Sequence, residues 1–182
     1  LTIAPKDIER RITLRTKAVI AVHLHGDMAR VSEIQNICKA NGLFLLEDCA
    51  QAHFSSEKNV FAGKTGIAGM FSFYPTKNLG GYGEAGCIIT DDESLAIRCR
   101  RFANHGALVR NDHTMEGINS RLDTIQAAVL RVKLKYLNGW NSRRNDIALL
   151  YSTLLADIRG LELPKVRDGV KHTFHHYVIR SE

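Results

Sequence analysis

A carboxylate and an amine stand where two predicted strands end. Asp48 follows the apolar run 43–46 and Glu47, and we predict that this run forms a buried strand. Lys77 follows a second predicted strand, residues 70–74, in a Pro-Thr-Lys-Asn turn. Ligands of open α/β sheets bind beyond the carboxyl ends of the strands. We therefore expect Asp48 and Lys77 to face the same crevice.

Two interpretations fit this pair of charges. The first is a plain salt bridge between the Asp48 carboxylate and the Lys77 amine. The second is that they are the two fixed partners of pyridoxal phosphate, a cofactor that bonds covalently to a lysine and pairs its ring nitrogen with an acidic residue. The spacing alone leaves both interpretations open.

The elements that precede this crevice follow from the apolar pattern. Residues 18–23 form an apolar, β-branched run typical of a buried strand. Residues 31–40 carry apolar side chains at helical spacing, and Asn41-Gly42 is a typical helix stop. Together with residues 43–46 they make a strand–helix–strand unit, which predicts a parallel sheet.

A long helix divides the predicted elements that follow. We predict a strand at 87–90, a helix over 93–104, a long helical pattern over about 122–155 and a strand over 174–180. Asn138-Gly139 is expected to bend the long helix. An α/β layer lies before this helix, and the beginning of a smaller unit lies after it.

The composition is that of a globular chain. Of its 182 residues, 45% are hydrophobic and 24% are charged, which excludes disorder as the main state. No apolar run approaches the ~20 residues of a membrane span, and no signal peptide is visible, so we expect no membrane partner. Both chain ends are expected to be cut from a longer protein. The four cysteines show no CxxC pair and favour reduced thiols in a cytoplasmic protein.

Metal and nucleic acid are not expected as ligands. His23 and His25 have a spacing seen in metal sites, but no cysteine or carboxylate cluster accompanies them in the sequence. The net charge of 25 − 19 = +6 is dispersed, and its densest cluster, Arg98, Arg100 and Arg101, comes without a recognition motif. We interpret this charge as a solvated face or as attraction for an anionic small molecule.

Five stretches of the chain carry distinctive motifs: EDCAQAH (47–53), GMFSFYPTKNLG (69–80), GEAG (83–86), NHG (104–106) and GINSRLD (117–123). In this order they closely resemble the DegT/DnrJ/EryC1/StrS family of pyridoxal-phosphate-dependent sugar aminotransferases. The likeness runs from residue 1 to about residue 180, and residues 16–26 also look like a strand of that family.

The resemblance implies a fold. It is the α/β fold type I of pyridoxal-phosphate-dependent transferases, with part of a large-domain mixed or parallel sheet and flanking helices, a long linking helix and the start of a small C-terminal domain. The corresponding ranges are 1–121 for the central part of the cofactor-binding large domain, 122–157 for the interdomain helix region and 158–182 for the small domain.

The resemblance also implies a role for five side chains. Lys77 is the Schiff-base lysine, and Asp48 pairs with the ring nitrogen of pyridoxal phosphate. Gln51 reaches the phenolic oxygen of the ring or stacks near it, and Ser72 donates a hydrogen bond to the phosphate. Asn119 reaches the phosphate of the cofactor in the partner subunit, which implies a homodimer with shared active sites. His53 either lines the pocket or shapes the loop.

The implied activity is transfer of an amino group from an amino acid, with glutamate as the expected donor, to a nucleotide-linked keto-sugar. One subgroup performs dehydration and has histidine in place of Lys77, so the lysine favours transamination. The family's upstream helix start, which cradles the cofactor phosphate, has no counterpart in the sequence. The alternative is therefore a non-catalytic fragment or regulatory derivative of the same fold.

Overall fold

The computed structural model describes residues 1–181. Its helices are α1 (Pro5–Arg11), α2 (Val31–Ala40), α3 (Glu93–Ala103), α4 (Thr124–Leu134) and α5 (Leu137–Leu154). Its strands are β1 (Ala18–Val22), β2 (Phe44–Asp48), β3 (Ser56–Glu57), β4 (Val60–Phe61), β5 (Ala68–Ser72), β6 (Gly86–Ile89), β7 (Leu161–Glu162), β8 (Val170–Lys171) and β9 (Arg180–Ser181). Residues 24–26 form a short 3-10 turn.

The main sheet has the strand order β1-β2-β5-β6. β1, β2 and β5 are parallel, and β6 runs antiparallel to β5. The predicted β1-α2-β2 unit and its parallel sheet are confirmed, and Gly42 ends α2 with a φ of 63°. The sheet is mixed because residues 73–85, which join β5 to β6, form no helix that could cross over the sheet, so β6 returns antiparallel beside β5.

One face of the main sheet is closed by α1 and α2. Alternate residues of β1 and β2 point into this face, where Val19, Ala21 and Leu45 pack with Ile34 of α2 and Ile8 of α1. These apolar side chains are buried, and they form the larger of two core clusters. We call this side of the sheet the closed face.

The opposite side of the sheet carries exposed apolar side chains. Ile20, Val22, Phe44 and Ile88 are all exposed on it. Because side chains alternate along each strand, the last residue of β2, Asp48, also lies on this side. We call this side the open face.

Several predicted boundaries move. β2 extends to Asp48, so this residue is the last of its strand instead of lying past it. β5 begins earlier than predicted and ends at Ser72, which leaves Lys77 in the turn beyond it. The predicted strand over 174–180 is wrong, because only Arg180 and Ser181 pair in a ladder there.

The long helical pattern is two helices. α4 ends before Lys135, and α5 begins at Leu137. The Tyr136 N–H bonds to the carbonyl of Lys133, three residues back, so the chain makes a tight turn between the helices. The predicted bend at Asn138-Gly139 is wrong, since both residues lie in the first turn of α5.

The segment that follows α5 returns to the main sheet's surroundings. β8 pairs with β3, which lies in the loop after β2, and β3 also pairs with β4. The Thr173 N–H donates to the carbonyl of Gly26. These contacts hold residues 170–176 against the carboxyl end of the sheet, where the predicted site lies.

Candidate active site

Asp48 and Ser72 lie on the open face, at the carboxyl ends of two neighbouring parallel strands. Asp48 pairs in register with Met70 of β5, and Ser72 lies two residues further along that strand. Residues two apart on a strand point to the same side of the sheet. The sheet therefore brings together two of the side chains that the sequence analysis selected.

The Asp48 carboxylate is half-buried and has room for a further partner. Within the described residues its only side-chain hydrogen bond comes from the Ala50 N–H, which donates to Oδ1 at 2.9 Å. A carboxylate can accept about four hydrogen bonds. The predicted salt bridge to Lys77 does not form within residues 1–181.

Lys77 is half-buried in the turn after β5. Its N–H donates to the Tyr74 carbonyl at 2.9 Å, and the Gly81 N–H donates to the Phe73 carbonyl at 2.7 Å. The Lys77 charge contributes to lowering the pKa values of His53 and His175, after burial as the main cause. The amine therefore emerges beside these two imidazoles at the carboxyl end of the sheet.

Gln51 and Ser72 both make local hydrogen bonds. The Gln51 Oε1 atom accepts from the His25 N–H at 2.6 Å, which joins the loop after β2 to the 3-10 turn after β1. The Ser72 Oγ atom accepts from the Tyr74 N–H at 3.3 Å. Because a hydroxyl both donates and accepts, the Ser72 O–H still has its proton to donate to an anion.

Asn119 lies apart from these residues. It is exposed, it forms a β-bridge with Asn104, and its Oδ1 atom accepts from the Arg121 Nε–H at 3.0 Å. Asn119 does not cap the following helix, since Asp123 occupies the N-cap position of α4. Within the described residues no hydrogen bond joins Asn119 to Asp48 or Ser72.

His53 is buried with unpartnered ring nitrogens. Its imidazole lies 5.5 Å from the Phe71 ring and 5.8 Å from the Phe73 ring, centroid to centroid. Neither Nδ1 nor Nε2 has a hydrogen-bond partner of good geometry among the described residues. Burial lowers the pKa of His53 to about 4, although the nearby Ser72 carbonyl acts in the opposite direction. The imidazole is therefore neutral at pH 7, and a buried polar group of this kind is costly unless something pairs with it.

Glu47 is a residue that the sequence analysis did not assign a role. Its side chain is fully buried on the closed face and accepts four hydrogen bonds. The donors are His23 Nε2 and the backbone N–H groups of Gly63, Thr65 and Gly66, at 2.6–2.9 Å. Burial alone would raise the pKa of Glu47, but these hydrogen bonds hold it below its ordinary value.

This network holds the 63–66 loop against the sheet. At Gly69 of β5, an added Cβ would come within 2.4 Å of the Gly63 Cα atom, so the loop and strand can approach this closely only as glycines. A charged residue that directly follows the apolar run of a buried strand was the available signal for Glu47. Its partners could not be found because they lie 16–24 residues away.

His23, Glu47 and Cys49 bring three possible ligand atoms within 4.8 Å of one another. Hydrogen bonds explain this cluster. The His23 Nδ1 atom accepts from the Ala29 N–H at 3.1 Å, so Nε2 carries the proton that it donates to Glu47. Burial, followed by the charges of Glu47 and Asp48, raises the pKa of the Cys49 thiol. His25, the other predicted candidate, contacts His176 instead.

The residues of the open face fit pyridoxal phosphate. A carboxylate with free acceptor capacity, a hydroxyl and a half-buried lysine lie around the carboxyl ends of β2 and β5, where α/β folds bind ligands. The unpartnered imidazole of His53 lies beside them. No helix within residues 1–181 is long and apolar enough to cross a membrane.

Two curated proteins illustrate what the chain is similar to. It is 44% identical to a pleiotropic regulatory protein of Geobacillus stearothermophilus, over 98% of the chain and 49% of that protein. It is 39% identical to the dTDP-3-amino-3,4,6-trideoxy-alpha-D-glucose transaminase of Streptomyces venezuelae, over 100% of the chain and 48% of that protein. The chain thus spans about half the length of the curated relatives it matches.

Solved structures of aminotransferases share the fold. DesV of Streptomyces venezuelae superposes with a TM-score of 0.96 at 39% identity, over 100% of this chain and 49% of DesV. NtdA of Bacillus subtilis, solved with the cofactor PMP bound, superposes with a TM-score of 0.90 at 34% identity, over 100% of this chain and 42% of NtdA. These structures confirm the predicted fold class. The family model described as the DegT/DnrJ/EryC1/StrS aminotransferase family matches residues 1–182, and the chain belongs to that family.

Proposed function

We propose that the protein containing this chain is a pyridoxal-phosphate-dependent aminotransferase that moves an amino group from an amino acid to a nucleotide-linked keto-sugar. The observation that carries the proposal is the position of Asp48 and Ser72 on one face of the sheet, with Lys77 in the turn beyond. The relatives named as transaminases of dTDP- and UDP-linked sugars support the substrate class. Glutamate is the proposed amino donor.

Four side chains of one subunit would hold the cofactor: Lys77, Asp48, Gln51 and Ser72. When bound, pyridoxal phosphate supplies an electron sink for a carbanion at the α-carbon of the amino donor. Asp48 would keep a proton on the ring nitrogen, because a carboxylate stabilises the protonated form of a neighbouring base. The Ser72 Oγ–H would donate to the phosphate, and the Gln51 side chain would orient the ring.

Lys77 would provide both the attachment point and the proton transfer. Lys77 is half-buried in the turn beyond the open face, so part of it stays accessible to a substrate. After the amino donor displaces it, the free amine would take the proton from the donor's α-carbon, as a general base within hydrogen-bond reach. The neutral imidazoles of His53 and His175 beside it add no charge of their own.

The proposed binding of pyridoxal phosphate has a direct test in the full-length protein. We expect added pyridoxal phosphate to produce the visible absorbance of a lysine-bound cofactor, and Lys77→Ala to abolish that absorbance and turnover while leaving thermal unfolding close to wild type. Lys64→Ala is the matched control, because Lys64 is exposed and already pairs with Asp91 at 2.7 Å. No absorbance in the wild-type protein would favour the non-catalytic, regulatory alternative. One relative, named as a regulatory protein, supports that alternative.

We further propose a homodimer in which each active site is completed by Asn119 of the partner subunit. The exposure of Asn119, and its separation from Asp48 and Ser72 in hydrogen bonding, support this role. Exposed apolar side chains on α4 and α5 supply a surface suited to a second copy: Ile125, Val132, Leu149 and Leu154.

Mixing two inactive variants tests the shared site. We expect Lys77→Ala and Asn119→Ala subunits to be inactive alone and to regain one working site per mixed dimer. Mixed dimers that form but stay inactive would remove Asn119 from the partner's site. The proposed division into 1–121, 122–157 and 158–182, and the proposed cytoplasmic location, are open to limited proteolysis and cell fractionation of the full-length protein.

A further inference from the structure

Lys77 and the next residue, Asn78, face opposite sides of their turn. Lys77 is half-buried and keeps part of its surface accessible, whereas only 6% of Asn78 is accessible. The turn is closed by the backbone hydrogen bonds of Lys77 and Gly81, and the Lys133 Nζ atom donates to the Gly80 carbonyl at 2.7 Å. An inward side chain thus anchors the backbone from which the outward amine projects.

All polar atoms of the Asn78 amide are paired. Nδ2 donates to Asn141 Oδ1 at 2.9 Å and to the Thr173 carbonyl at 3.1 Å. Oδ1 accepts from His175 Nδ1 at 3.0 Å. The Thr173 carbonyl can only accept, so it fixes which end of the amide carries the nitrogen. It follows that His175 is the donor in its contact and carries its proton on Nδ1.

The partners of Asn78 are themselves held in place. Asn141 is 1% exposed, and its Nδ2 atom donates to the His53 carbonyl at 3.0 Å. Thr173 is fully buried, and its hydroxyl contacts the Ser55 Oγ atom at 2.9 Å. Asn78 therefore connects the lysine turn to α5, to the loop after β2 and to residues 173–175 by one continuous set of hydrogen bonds.

The side chains that Asn78 contacts directly, Asn141 and His175, carry no charge at pH 7. Burial is the main cause that lowers the pKa of His175 to about 4, with further contributions from His176, Lys77 and Arg144. A neutral His175 donates a single hydrogen bond to Asn78 and leaves the amide orientation unchanged. The network thus acts on Lys77 through geometry, by fixing the turn, and not by adding charge.

We propose that Asn78 is the positioning residue that sets the direction in which the Lys77 side chain leaves its turn. This inference rests on the proposed function, because it concerns the approach of the Lys77 Nζ atom to the cofactor. A misplacement of about 1 Å at a reacting group can cost about a hundredfold in rate. Loss of the Asn78 anchor would also leave the buried Asn141 Oδ1 atom and the Thr173 carbonyl each without a donor.

The test measures cofactor attachment as well as turnover, in the full-length protein. Asn78→Ala is prepared without cofactor, and pyridoxal phosphate is then added while the visible absorbance of the lysine-bound form is followed. We expect attachment to be about a hundredfold slower than in the wild type and kcat to fall by a similar factor. KM for the sugar should change little, because Asn78 does not face the substrate side.

Asn145→Ala is the matched control. The Asn145 Nδ2 atom donates to the Asn141 carbonyl at 2.9 Å and to the His172 carbonyl at 3.0 Å. It joins the same helix to the same segment without touching the lysine turn. We expect Asn145→Ala to lower thermal stability as Asn78→Ala does, yet to attach the cofactor at the wild-type rate.

Each outcome decides the inference. Wild-type attachment by a folded Asn78→Ala protein, or equal slowing in Asn145→Ala, would overturn the positioning role. If Asn78→Ala does not fold, Asn78→Ser, which keeps one hydroxyl in the network, must still attach the cofactor more slowly than Asn145→Ala. Borohydride labelling of the wild type separates the two hypotheses: a label absent from Lys77 contradicts the proposed function, whereas a labelled Lys77 with unaffected Asn78 variants contradicts only this inference.

Discussion

Glu47 and Asp48 are consecutive carboxylates on β2 with opposite surroundings. Glu47 points into the closed face, is fully buried and accepts four hydrogen bonds. Asp48 points to the open face, is half-buried and accepts one hydrogen bond within the described residues. The alternation of the strand alone separates them. The paired carboxylate of Glu47 thus organises the fold, while the neighbouring Asp48 keeps acceptor capacity for chemistry.

The apolar residues divide in the same way. Ile34 packs on the closed face and is fully buried, whereas Ile20 lies on the open face and is 54% exposed. Side chains of one type therefore contribute differently to the stability of the chain. The closed face should carry most of the free energy of unfolding, and the open face most of the activity.

The largest expected effect is that of Asp48→Asn on activity. A neutral amide cannot stabilise the protonated ring nitrogen, so we expect turnover by the full-length protein to fall roughly a thousandfold or more. Some pyridoxal phosphate binding should remain, and the free energy of unfolding should change little, since Asp48 has few partners. Steady-state kinetics and urea unfolding measure the two quantities. Near-wild-type turnover would make Asp48 a structural residue only.

Glu47→Gln should show the opposite pattern, with a large effect on stability. The amide nitrogen would face backbone N–H donors, so we expect a loss of about 4 kcal/mol in the free energy of unfolding. Asp91→Asn is the control, because the Asp91–Lys64 pair is exposed and should change stability by less than about 0.5 kcal/mol. If urea unfolding showed equal losses of unfolding free energy in the two variants, the buried carboxylate would be no more important for stability than the exposed one.

Ile34 and Ile20 test the difference between the two faces for apolar packing. Ile34→Ala leaves a cavity in the closed face and should cost about 3 kcal/mol. Ile20→Ala removes an exposed side chain and should cost less than about 1 kcal/mol in the 182-residue chain. Urea unfolding of both variants measures the difference. Comparable losses at the two positions would show that the open face is packed in solution.

A smaller effect per residue is expected from three buried histidines. Burial is the main cause that lowers the pKa values of His53, His172 and His175 to about 4 each. The unfolded chain titrates near the ordinary pKa of about 6.5, so between these values it binds more protons than the folded chain does. Stability should therefore fall as the pH drops from about 6.5 towards about 4.

Each of these histidines should lower the free energy of unfolding by about 2 kcal/mol at pH 5. His175→Gln keeps a donor for Asn78 and should make the decline in stability between pH 7 and pH 5 shallower. His113→Gln is the control, since His113 is exposed and contacts only the His105 carbonyl. A decline that is equally steep in both variants would assign the pH dependence to other groups.

The local sequence pattern was sufficient to predict those elements whose boundaries depend on neighbouring residues. The β1-α2-β2 unit followed from apolar periodicity and from the Asn41-Gly42 stop. The predicted strand over 174–180 failed, because that segment is held by side-chain contacts such as those of Thr173 and His175 with Asn78, which span more than 90 residues. The helix break at Lys135 carries no glycine or proline signal, so the apolar spacing predicted one helix.

The sequence predicted the residues of the candidate site better than it predicted the residues that hold them in place. Asp48 and Lys77 were found because each stands near the end of an apolar strand, and Ser72 was found through the resemblance to the aminotransferase family. Glu47 and Asn78 are adjacent to Asp48 and Lys77, and the sequence analysis included them in its motifs without assigning them a role. Their importance lies in distant partners and in burial, neither of which the residue type reveals.

The identity of the lysine that bonds the cofactor tests the central claim most directly. The full-length protein is incubated with pyridoxal phosphate, reduced with borohydride, digested and analysed by peptide mass. We expect the reduced adduct on Lys77, in the peptide that contains the Pro-Thr-Lys-Asn turn. An adduct on Lys64 or on another lysine, with Lys77 unmodified, would contradict the account.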